Sequence, residues 1–134
     1  MKFAIICLFL ALCTIKIFYA DANILDKLYA DSVNEIGTFV TPWENKILSC
    51  FTAAHQQGKD IENCENNFNV PLQDIVPSLQ KDMQKCIDDA RISNRLKVAS
   101  ECCSAKVNAL KSQVHSLVNQ AHVCLRKLGF SNCH

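Results

Sequence analysis

Seven cysteines, Cys50, Cys64, Cys86, Cys102, Cys103, Cys124 and Cys133, crowd the chain from its middle to its end, and this set constrains the fold more than any other feature. No Cys-x-x-Cys occurs among them, and His55, His115, His122 and His134 are not paired at metal-ligand spacing. A zinc site is therefore not expected, nor any other metal or cofactor. At this density the set reads as a disulfide framework built in an oxidising compartment. The chain has nine cysteines, of which Cys7 and Cys13 are expected to leave with a leader. Seven is odd, so at most three bridges then form within one chain, and the last thiol is either buried or bonded to a second chain as a disulfide-linked homodimer. Adjacent helical residues point about 100° apart, and a vicinal bridge demands strained geometry. Cys102 and Cys103 are therefore expected to have different partners, with one of them left over. Cys133, near the chain end, is the second candidate.

The first residues supply the compartment. Lys2 is followed by an apolar run from Phe3 to Ile15, which Lys16 stops. That run has the length of a signal-peptide core and falls short of a bilayer span. A cut after Ala22 places Ala20 and Ala22 at the two small-residue positions, whereas a cut after Ala20 puts bulky Phe18 at the outer one. The expected organisation is a signal peptide over residues 1–22 and a single helical, disulfide-bonded domain over residues 23–134, secreted from the cell. About 112 residues suit one domain with one core.

Lys2, Lys16 and Asp21 leave with the leader, so twelve bases balance twelve acids in what remains. That balance argues against nucleic acid as a partner. The charges are segregated, however. Seven acids lie between Asp60 and Asp89, and seven bases between Arg91 and Lys127 against Glu101 alone. Two antiparallel neighbours attracting each other account for this. A basic surface for an anionic membrane or an acidic partner is the other reading.

Three glycines and three prolines are few breakers for such a chain, and the apolar residues recur at helical steps. Ile24, Leu25, Leu28, Val33, Ile36 and Val40 define a first helix. Thr41-Pro42-Trp43-Glu44 reads as a capping box that starts a second, ending at Gly58. A short helix over Asp60–Asn67 and an asparagine-rich loop to Pro71 follow, then a segment to Arg91 that Pro77 either kinks or starts. Ser93 or Asn94 caps a long last helix, whose stripe runs from Leu96 to Leu128 before Gly129 closes it. The expected fold is thus all-α: a small disulfide-stapled bundle of four to five helices with a long C-terminal helix. At about 50 Å that helix outruns a compact domain, so it should bend, protrude or find a partner. Its two successive four-residue steps, Ala99 to Cys103 to Val107, place a bend near Ser100–Ser104. If the chain turns back at Arg91–Asn94, Cys86 comes within reach of Cys102 or Cys103.

Catalytic chemistry is not expected. There is no nucleophile elbow and no glycine-rich phosphate loop, and Asp88 and Asp89 diverge as helical neighbours. The order Cys50-Phe51, Cys64, Cys86-Ile87, Cys102-Cys103 and Cys124-Leu125, from about Lys46 to Lys127, resembles the cysteine-rich helical secreted proteins of insects of the TsetseEP type. That resemblance implies secretion into gut or another fluid and brings no catalytic residue. Cys124 and Cys133 match the final C-x8-C of the insect odorant-binding family, whose C-x3-C pair is absent here.

Two functional expectations follow. One is a secreted non-enzymatic protein acting on an extracellular protein partner in saliva, venom, gut, seminal fluid or defence. The other is an extracellular carrier of a small hydrophobic or lipid-like ligand, with Trp43, Phe51, Phe68 and Phe130 lining an apolar pocket.

Overall fold

The structure, a computed structural model, describes the backbone of residues 2–133 and the side chains of residues 23–133. The expected leader, with Cys7 and Cys13, lies outside the residues whose side chains are described. Three helices follow one another: α1 Lys2–Gln56, α2 Glu62–Ser93 and α3 Leu96–Lys127. The expected four to five helices are corrected to three.

The correction comes from the prolines. Pro42 lies inside α1, and Pro71 and Pro77 lie inside α2. A proline removes one helical hydrogen bond and crowds the preceding turn, a local cost of about 3 kcal/mol. That cost is outweighed where the same stripe must be buried on both sides of it. Val40 and Ile47 flank Pro42 in the core, as Phe68, Leu72 and Leu79 flank the other two. For the same reason the asparagine-rich stretch from Asn66 to Asn69 is helical rather than a loop. Cys64, Phe68 and Leu72 fall on one face at four-residue steps, and all three are buried.

Three breakers do end helices. Gly58 N–H donates to the His55 carbonyl and Lys59 N–H to that of Ala54, while Gly129 N–H donates to Arg126 and Phe130 N–H to Leu125. Both sets are Schellman closures, and both glycines take φ of +76°, a conformation that disfavours a side chain. Asn94, expected with Ser93 to start α3, instead ends α2 in the left-handed conformation at φ 53°, and Arg95 precedes α3 without a side-chain cap. Asparagine tolerates that conformation better than other non-glycine residues, which explains its place at the turn.

These short turns make α2 antiparallel to α1 and α3 antiparallel to α2. The length of α3 is accommodated because α2 matches it at 32 residues, about 48 Å each. The stripe Ala99, Cys103, Val107, Leu110, Val114, Leu117, Ala121 and Leu125 is buried along the whole of α3, with Val118 widening it. The four-four step does not end the helix, since α3 runs unbroken from Leu96 to Lys127. Its apolar face is occupied by α1 and α2 of the same chain.

Three disulfides staple the bundle: Cys50–Cys133, Cys64–Cys124 and Cys86–Cys102, with Cα separations of 5.5, 5.7 and 5.9 Å. The pairs are nested in sequence. Taken singly, loops of 83, 60 and 16 residues correspond to about 4.5, 4 and 3 kcal/mol of unfolded-state entropy. Nesting makes the three less than additive, because each inner bridge shortens the loop that the next must close.

Candidate interaction surfaces

The four aromatic side chains expected to line a pocket divide into two groups. Phe51 and Phe68 are 1% exposed, and their rings meet edge to face at 6.0 Å. Phe130 is 3% exposed, drawn onto the core by the closure at Gly129. These three fill the core at the end of the bundle where Cys50–Cys133 and Cys64–Cys124 lie. Trp43 is half-buried elsewhere, on the seam between α1 and α3. There the exposed His115 ring stands edge-on to both Trp43 and Phe39 at 5.3 Å. Lys46 approaches the Trp43 ring and Lys111 the Phe39 ring, each at 5.5 Å, and Lys111 also pairs with Glu35. Sequence reasoning missed Phe39, and placed His115 at a solvent-facing or interface position without finding its aromatic partners. The signal was present, since Glu35, Phe39 and Trp43 recur at four-residue steps, as Lys111 and His115 do on α3.

Among the described residues the unbridged thiol is that of Cys103, which is fully buried on α3. Burial pushes its pKa up, and the Ser32 hydroxyl, itself buried and hydrogen-bonded to it, pulls partly the other way. Ser32 is the polar partner that α1 places inside the core for this sulfur. A bridge from Cys103 to a second chain would require the core to open. Cys133, the other candidate for such a bridge, is bonded to Cys50.

A groove of about 1040 Å³ runs between α2 and α3 over the Cys64–Cys124 bridge. Phe68 and Ala121 lie at its base, and Asn67, Ser116, Asn119 and Gln120 stand along it. Two of its amides are oriented by their own helices. Asn67 Nδ2 donates to Asn63 Oδ1 at 3.3 Å, and Gln120 Nε2 to Ser116 Oγ at 3.2 Å. Among the described residues, Lys127 and His115 are the basic side chains lining it. Such a surface of donors and acceptors over an apolar base can hydrogen-bond a ligand. A smaller groove of about 340 Å³ between α1 and α2 has an apolar floor that includes Ile36, Val40, Leu72 and Val76.

Among the described residues three ion pairs join different helices, and one of them links the segregated acidic and basic segments. Asp82 of α2 pairs with Lys106 of α3 at 3.7 Å, as the antiparallel reading expects. Arg91 pairs with Asp26, and Lys111 with Glu35, so both of those bases turn to α1. All of these side chains are substantially exposed, and each pair contributes at most about 1 kcal/mol. Among the described residues no cluster of His, Cys, Asp or Glu has metal-binding geometry, and no helix is long and apolar enough to cross a membrane. No protein family, curated protein or solved structure matches the chain.

Proposed function

We propose that this chain is a secreted, non-enzymatic protein that acts by binding another protein in an extracellular fluid, through the groove between α2 and α3. The observation that carries the reading is the groove itself. It is open, at the upper end of small-molecule cleft volumes, and walled by amides and hydroxyls that match the hydrogen bonding of an extended polypeptide. The three intrachain bridges support an extracellular setting, because such bonds persist where thiols are not kept reduced. The resemblance of the cysteine order to the TsetseEP type points the same way. With Cys103 sealed in the core, partner binding is non-covalent.

The carrier reading retains specific support in Phe68 at the base of the α2–α3 groove, in Phe51 lining a groove of about 830 Å³ at the α1–α2 turn, and in the apolar floor between α1 and α2. At about 340 Å³ the last of these stands at the lower end of ligand-site volumes.

The test is native mass spectrometry of the protein collected from the medium of cells expressing the full chain. A monomer beginning near Asn23, with three bridges, one thiol and no extra mass, is the expected species. Ser116→Trp should then fill the groove and abolish capture of a protein partner from the native fluid. An added small-molecule mass that denaturation removes would replace this reading with the carrier.

A further inference from the structure

The turn between α2 and α3 inverts the usual distribution of large and small apolar residues. The last core residue of α2 is Ala90 and the first of α3 is Ala99, both small and buried. Between them, Ile92 is 88% exposed, Leu96 40% and Val98 53%. Ile24 of α1 is also exposed, and the Asp26–Arg91 pair fixes that turn of α1 at the same end of the bundle. Four of the six large apolar side chains exposed among the described residues therefore gather here, the others being Val70 and Val123. Single exposed aliphatics are ordinary, but a group on one tip is not.

The same segment is basic. Arg91-Ile92-Ser93-Asn94-Arg95-Leu96-Lys97-Val98 holds three cations and no acid, and each aliphatic side chain stands next to a cation in sequence. Asp26 is engaged by Arg91, and Glu101 meets Lys97 only at 3.9 Å between exposed side chains. Asp88 and Asp89 lie further back along α2, behind the tip.

We propose that this hairpin tip docks on an anionic lipid surface, with Ile92, Leu96 and Val98 entering the headgroup boundary and Arg95 and Lys97 meeting the lipid phosphates. Aliphatic side chains flanked by long cationic ones suit that boundary, where the stems lie in apolar surroundings and the charged ends stay at the headgroups. A protein partner fits this end less well. Arginine anchors protein interfaces as well, but the exposed aliphatics Ile92, Leu96 and Val98 set between the cations suit a lipid boundary better than the pocketed anchor of a protein interface. The surface is separate from the groove over Cys64–Cys124, so the two assignments stand or fall independently.

The test uses the secreted protein, with its three bridges first verified by intact mass, and sedimentation with two vesicle preparations. One is phosphatidylcholine alone, and the other replaces a third of it with phosphatidylserine. Binding is expected to the second and to weaken as salt rises. Neutralising both cations, Arg95→Gln with Lys97→Gln, should weaken it about 30-fold, from about 1 kcal/mol for each charge near the surface. Ile92→Ser should also reduce it, whereas Lys59→Gln at the opposite end should not. Circular dichroism checks that each variant remains helical, and these exposed positions leave the core untouched. Absence of binding to phosphatidylserine vesicles overturns the proposal, as does binding that the tip variants leave unchanged. Tip-dependent binding to polyglutamate without vesicle binding also overturns it, and assigns the tip to an acidic protein instead.

Discussion

Cys64 and Cys124, bridged across a Cα separation of 5.7 Å, stand at equal distances from Asn94, thirty residues before it and thirty after. Cys86 and Cys102 repeat the relation at eight residues, and the ion-paired Asp82 and Lys106 at twelve. The α2–α3 hairpin therefore has one register centred on Asn94, and the left-handed backbone there sets it. Replacing Asn94 with glycine should be tolerated. Replacing it with alanine should cost about 1 kcal/mol, because a β-carbon is disfavoured at positive φ. Thermal unfolding of the two variants checks this, and equal loss in both would mean that the Asn94 side chain matters more than its backbone.

That mirror spacing is legible in the order of residues alone. Cys64 to Cys86 and Cys102 to Cys124 are equal intervals, and with a turn at Asn94 they select both bridges and choose Cys102 over Cys103. The helical stripe of α3 and the leftover thiol of the Cys102–Cys103 pair are also readable there, because both depend on local periodicity. Helix number is not. Pro42, Pro71 and Pro77 carry strong local stop signals, and only the burial of Val40, Leu72 and Leu79 around them shows which effect wins. The groove between α2 and α3 is equally hidden, since its polar walls come from residues more than forty positions apart and leave no motif.

Pro42 provides a direct test of that competition. Its side chain is exposed, yet its ring removes a hydrogen bond from the middle of α1. Pro42→Ala should restore the bond and raise stability by about 1–3 kcal/mol. Denaturant unfolding reads the change. A loss of stability instead would mean that the backbone geometry proline imposes at this position helps to seat Trp43 against His115.

Cys103 should be inert to alkylation in the folded protein and react once the bundle is denatured, as followed by mass with iodoacetamide. Burial raises its pKa, so above the ordinary thiol range the unfolded chain releases a proton that the folded chain still holds. The corresponding stability is complete below the unfolded pKa and is lost as pH rises through the higher folded value. Wild type should therefore weaken between about pH 8.5 and the raised folded value more than Cys103→Ala does. Parallel pH profiles for the two proteins would sink this assignment.

Phe51 and Phe68 decide between a packed core and a ligand pocket at the disulfide-rich end. Their rings meet edge to face at 6.0 Å, and each is only 1% exposed, so each is filled in by its neighbours. Truncating either one to alanine should lose its burial and leave a void, at a cost of about 3–5 kcal/mol. Trp43→Ala, at a half-buried seam, should cost less, because its ring is already partly in water. A residue that lined a ligand cavity would behave in the opposite way. Its truncation would remove ligand while leaving the empty protein's stability nearly unchanged. Chemical denaturation of the ligand-free variants separates the two cases, and near-wild-type stability in Phe68→Ala would return the phenylalanines to the pocket.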